Sequence, residues 1–110
     1  MQNISNLKIE SILSKSKHLL KIMYGKRLKE VILFGSYARG TPTKDSDIDL
    51  AVILTGNVDK IKESDRITDA LYDLSLETGE LISVNPISER EIKNQVWPLY
   101  YHIQTEGIRI

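Results

Sequence analysis

Two short apolar runs, separated by a glycine-bounded segment and an acidic pair, constrain this chain more than anything else in it. The first is Val31-Ile32-Leu33-Phe34, followed by Gly35-Ser36-Tyr37-Ala38-Arg39-Gly40. The second opens on Asp47-Ile48-Asp49 and continues Leu50-Ala51-Val52-Ile53-Leu54. An apolar run that stops at a Gly-Ser pair reads as a buried strand ending in a turn. In the second run Asp47, Asp49, Ala51 and Ile53 share one face of a strand, and Ile48, Leu50, Val52 and Leu54 share the other. Two carboxylates on one face, two residues apart, lie about 6–7 Å apart at their Cα atoms. Unneutralised, they repel by about 2–3 kcal/mol at an effective dielectric near 20. An otherwise apolar strand has no folding reason to accept that cost, and a divalent cation with carboxylate oxygen ligands removes it.

The turn supplies the complementary half. If the two strands pair directly they run antiparallel, which brings the Gly35 turn and the aspartates to one rim of the sheet. Gly35 permits close backbone approach to a ligand. Ser36 is placed to begin a helical turn through Tyr37, Ala38 and Arg39 that ends at Gly40. Free amides at such a start, with the Ser36 hydroxyl beside them, suit a phosphate. Carboxylates for a metal facing a phosphate cradle describe a site for magnesium and a nucleoside triphosphate. The alternative is an ordinary strand-turn-strand with solvated aspartates.

Gly35-Ser36, ten intervening residues and then Asp47-x-Asp49 on a hydrophobic strand resemble the signature of the polymerase-β-like nucleotidyltransferase superfamily. The fuller string, Gly-Ser-Tyr-Ala-Arg-Gly through Ser-Asp-Ile-Asp-Leu-Ala-Val, is similar to its minimal, single-domain branch, whose members often pair as antitoxins with small helical HEPN proteins. The resemblance implies an α+β two-layer fold, a small mixed sheet of three or more strands packed against helices. It implies a catalytic and metal-binding role for Asp47 and Asp49, and a phosphate-holding role for Gly35 and Ser36, with Ser36 counted among the catalytic residues. Arg39 would add a positive charge at the nucleotide, although an exposed helix arginine is an equal reading. The implied activity is transfer of a nucleoside monophosphate, AMP from ATP, to a hydroxyl, with a tyrosine of a HEPN-type toxin as the acceptor.

The superfamily usually carries a third carboxylate on a later strand. Here that strand reads Leu81-Ile82-Ser83-Val84-Asn85 and is expected to close at Pro86. Ser83 falls at the expected position, and a serine hydroxyl is neither a carboxylate ligand nor a useful base at neutral pH. Glu80 is the nearest acid, but it lies before the strand and on the opposite face. Magnesium is commonly held by one or two carboxylates plus substrate phosphates, so nucleotide binding survives the loss. A missing general base costs typically about 10²–10⁴ in rate. The second reading is therefore a weakened nucleotide- or partner-binding regulatory module.

The remaining residues frame this unit. Ile4, Leu7, Ile12, Leu13, Leu19, Leu20, Ile22 and Met23 have helical spacing, with Ser5 or Asn3 as the cap and Gly25 as the stop. His18 on that helix reads as a surface residue. A second helix starts at Asp59 or Ser64, carries an apolar stripe of Ile67, Ala70, Leu71, Leu74 and Leu76, and ends at Gly79. Its charges, Glu63 and Lys60 among them, read as solvated. Ser88-Glu89-Arg90-Glu91 fits a capping box for a short helix to about Gln95. Trp97-Pro98 breaks it, a last helix spans Leu99 to Glu106, and Ile108-Arg109-Ile110 is a tail or a small strand. Trp97, Tyr100, Tyr101 and His102 read as a helix packed on the sheet edge, or as a surface for a partner or second copy.

At 110 residues, with 15 basic and 15 acidic side chains, the chain is expected to be a single domain, 1–110, with no field to draw in nucleic acid generally. The absence of cysteine excludes disulfides and thiolate metal sites. No run is long enough to span a membrane, the polar start is no signal peptide, and a cytoplasmic location is expected.

Overall fold

The computed structural model describes residues 7–110, so the expected cap at Asn3 or Ser5 lies outside the described residues. The elements are α1 (Leu7–Tyr24), a 3₁₀ turn (Gly25–Arg27), β1 (Leu28–Phe34), α2 (Ser36–Arg39), β2 (Ile48–Leu54), α3 (Lys60–Thr78), β3 (Ile82–Ser88), α4 (Glu89–Lys93), α5 (Pro98–Glu106) and β4 (Ile108–Arg109). The strands form one mixed sheet in the order β3-β2-β1-β4, an α+β architecture. β1 and β2 pair antiparallel, with Val31 opposite Val52 and Phe34 opposite Asp49. β3 runs parallel to β2, and the helix α3 makes the crossover that a parallel pair requires.

The alternation read in β2 divides the core. Ile48, Leu50, Val52 and Leu54 join Val31 and Leu33 under α1 and α3. Ala51 and Ile53 join Ile32 and Ile87 on the other face, beneath Ile92 of α4 and Tyr100 and Ile103 of α5. That second face is covered only over part of its length, and the uncovered end is where Asp47 and Asp49 lie.

Four details depart from the sequence reading. β3 does not close at Pro86 but runs through it to Ser88; it is an edge strand, where a residue without an N–H is tolerated. The helix after it ends at Lys93, because Asn94 caps it and Gln95 turns to φ 49°. Leu76 is exposed: the buried stripe of α3 is Glu63, Ile67, Leu71 and Leu74, and position 76 falls outside that spacing. Glu63 is not solvated. It lies one turn before Ile67 on the same stripe, accepts a hydrogen bond from the Tyr24 hydroxyl at 2.6 Å and pairs with Arg66 at 2.8 Å.

Other expectations hold. Asp59 caps α3 by accepting from the Lys62 amide, and Gly79 closes it at φ 72°. Ser88 caps α4 and bonds Glu91. His18 is exposed. The tail forms β4 on the free edge of β1, with Ile108 opposite Leu33. Gly107 makes that turn possible, since a β-carbon there would overlap the Ile103 carbonyl and the Ile32 side chain. Among the described residues no helix is long and apolar enough to cross a membrane.

The Tyr24 hydrogen bond, and then the Arg66 charge, hold the Glu63 carboxyl below its ordinary range against the opposing effect of burial. A depressed folded value means the ionised form adds stability above the unfolded value, and that stability is lost as pH falls through the folded one. Glu63→Gln should cost about 1–3 kcal/mol in urea unfolding at pH 7, and its deficit against the parent protein should shrink as pH drops below the ordinary glutamate range. A deficit independent of pH would show that the charge is not what matters.

Candidate metal and nucleotide site

At the end of β1 the chain turns through Gly35 at φ 77°, ψ −156°, a conformation that favours glycine. The Gly35 carbonyl accepts from the Arg39 amide at 3.1 Å, which closes the single turn of α2, and Gly40 ends it at φ 75°. The amides that open a helical turn have no carbonyl one turn back to bond. The following loop is braced internally: the Thr43 amide donates to Ser46 Oγ at 2.9 Å, and the Ser46 amide donates to the Thr43 carbonyl at 3.1 Å. It delivers Asp47 to the head of β2, where the Ile48 amide bonds the Leu81 carbonyl.

The antiparallel register then brings the two halves together. Asp49 lies opposite Phe34, the residue before Gly35. Its carboxylate packs on the glycine itself, so that a β-carbon at 35 would overlap Asp49 Oδ2 and sit 3.1 Å from Cγ. Asp47 and Asp49 are both half-buried. Burial first, then the neighbouring Asp47 charge, raises the Asp49 carboxyl above its ordinary value, and Arg39 pulls it partly back. Among the described residues no side chain ion-pairs with either carboxylate within 4 Å. Two adjacent, partly desolvated carboxylates with an arginine nearby but not bonded to them fit a hard divalent cation.

Ser83 stands beside Asp49 as its Cα partner in the parallel pair, so their side chains emerge on the same face of the sheet. Asn85 is next along, opposite Ala51. Glu80 is engaged elsewhere: it pairs with Lys8 at 3.4 Å and lies near the Tyr37 hydroxyl, whose pKa is raised by burial and then by that carboxylate. Among the described residues no group of three His, Cys, Asp or Glu side chains is placed to hold a metal.

Sequence reasoning missed what α5 does here. Leu99, His102 and Glu106 face Phe34, Gly35 and Arg39 across a cleft of about 320 Å³. A second cleft of about 250 Å³ lies over β3, between Asn85 and Pro86 on one side and Trp97, Leu99 and Lys60 on the other. Lys60 bonds the Tyr100 hydroxyl and pairs with Glu91 at 3.0 Å, which ties α3, α4 and α5 together at that wall. Of the aromatic group, Tyr100 of α5 is buried against the sheet, while Trp97 and Tyr101 remain exposed at 58% and 51%, so the packed and the surface readings each describe part of it. Larger hollows, about 560 Å³ each, lie away from the carboxylates along α1.

Residues 11–104 match the model of the nucleotidyltransferase domain family. A candidate protein adenylyltransferase of Methanocaldococcus jannaschii is 34% identical over 99 residues, which cover 89% of this chain and 93% of that one. A solved candidate minimal nucleotidyltransferase superposes with a TM-score of 0.58 at 25% identity, over 96% of this chain and 99% of the other. A mutant of the toxin–antitoxin complex MntA–HpeT gives a TM-score of 0.56 at 25% identity, over 89% of this chain and 70% of the other.

Asp49→Asn should leave the fold intact, or raise its stability by up to about 2 kcal/mol, while abolishing the thermal shift produced by magnesium and nucleotide together. An unfolded variant would mean that the aspartates are structural. Gly35→Ala should move stability the other way, by about 1–3 kcal/mol, as read by thermal unfolding.

Proposed function

The chain belongs to the nucleotidyltransferase domain family, and from that premise we propose that it transfers AMP from ATP to a hydroxyl group on a protein acceptor. The observation that carries this is the packing of Asp49 on Gly35, which joins a cation-binding carboxylate pair to a phosphate-sized turn. Asp47 and Asp49 would hold magnesium. When bound, that ion neutralises charge developing on the transferred phosphorus and its leaving group. The Gly35-Ser36 turn, with the opening amides of α2 and the Ser36 hydroxyl, holds the terminal phosphates. Arg39 adds positive charge on the same side. The acceptor oxygen forms a bond to the α-phosphorus, the bond from that phosphorus to the bridging oxygen of pyrophosphate breaks, and the acceptor proton leaves to solvent or to a base on the acceptor.

The acceptor we favour is a tyrosine of a HEPN-type helical toxin, which gives this chain an antitoxin role in the cytoplasm. The fold shared with the antitoxin-containing MntA–HpeT complex supports that choice. The exposed Trp97 and Tyr101 beside the clefts offer a partner or a second copy a place to complete the pocket. One observation favours a second reading: the side chain next to Asp49 on β3 is Ser83 and not an acid. A site without that acid is also compatible with a regulatory module that binds nucleotide and turns it over slowly or not at all.

Incubation with ATP labelled on the α-phosphate, magnesium and a small helical tyrosine-bearing partner should yield a labelled partner. Asp47→Asn, shown folded by circular dichroism, should reduce the label by at least about 10²-fold. Undiminished transfer in that variant would refute the assignment. Metal-dependent nucleotide binding with no transfer to any acceptor would establish the second reading.

A further inference from the structure

Resting on the nucleotide-site reading above, we infer that this chain by itself holds one divalent cation and not two, and that Ser83 sets that number. Two-metal sites place their ions about 3.5–4 Å apart, and ions that close need negative ligands between and beside them to offset their repulsion. The sheet allots Asp49 two neighbours. On β1 it is Phe34, and on β3 it is Ser83. The next row adds Ala51 and Asn85. None of these carries charge, so Asp47 and Asp49 supply two negative charges, which match one divalent ion.

Among the described residues no other acid joins Asp47 and Asp49 to make a group of three that could hold a metal. Glu80 pairs with Lys8. Glu91 is held by Lys60 and Ser88, and its carboxyl is kept below its ordinary range chiefly by the Lys60 hydrogen bond. Glu106, in the cleft beside Arg39, lies 3.8 Å from His102. A second ion at this sheet would rest on triphosphate oxygens and a neutral hydroxyl alone. Triphosphate oxygens and water can hold magnesium by themselves, so what the sheet lacks is a third negative ligand to offset the repulsion between two ions about 3.5–4 Å apart. The position that decides the count is therefore 83, because Asp49's other neighbour in the sheet, Phe34, packs against the apolar cluster under α4 and α5.

Electron paramagnetic resonance with manganese in place of magnesium tests this without turnover. A non-hydrolysable ATP analogue is held below the protein concentration so that all of it is bound. The expected result is one manganese per bound analogue, with an uncoupled spectrum, and two exchange-coupled ions in Ser83→Asp. Two coupled ions in the parent protein would overturn the inference while leaving the nucleotide site standing. A folded Ser83→Asp that still takes one ion would remove Ser83 from the role assigned to it. No metal-dependent binding of the analogue by the parent protein would instead refute the nucleotide-site reading on which the inference rests. The parent count stands whether or not the variant folds.

Discussion

Two carboxylates that repel one another are held side by side at the head of β2, and the backbone of Gly35 presses against one of them. Asp49 is held in place because Ile48 and Leu50, on either side of it, are buried in the main core. The sheet thus keeps an unfavourable charge pair in place with the same apolar alternation that builds the core. What is lost locally is returned by burial elsewhere, since the side chains under α1 and α3 make up most of the apolar interior. On the function proposed above, a cation would convert the repulsion into ligand binding, and the glycine would leave room for what the cation brings.

The two faces of the sheet have different duties. One is sealed by long helices and tied at its end by Tyr24, Glu63 and Arg66, where a buried carboxylate is satisfied by a hydroxyl and a guanidinium. The other is covered only by the short α4 and α5. The gap they leave forms the clefts around Leu99, and Lys60 with Glu91 and Tyr100 fixes the edge of that gap. The layer opposite the open edge supplies most of the apolar interior.

Much of this was legible in the residues. The strand-turn-strand and its antiparallel pairing follow from period-two alternation and a Gly-Ser stop, although Asp47, read as the first residue of the second strand, lies just before β2. Gly79 and the Ser88 capping box marked helix ends for local reasons. Glu63 was misread because its neighbours in sequence are polar; its partner Tyr24 lies on another helix, 39 residues away in the chain. Its spacing to Ile67 and Leu71 was the available signal. Pro86 was read as a terminator because a proline ends a central strand, and the edge position of β3 is set only by the sheet order.

By itself, then, the sequence determined which segments form strands and which side chains are candidates for the chemistry, because alternation, glycine conformational freedom and helix caps act over a few residues. Only the tertiary structure decided who stands next to whom. The parallel register set Ser83 beside Asp49, the crossing of β1 and β2 laid Asp49 on Gly35, and the return of the tail to β1 brought α5 over the far face. Those are contacts between segments far apart along the chain, and their free energy comes from burial and pairing that no local pattern encodes.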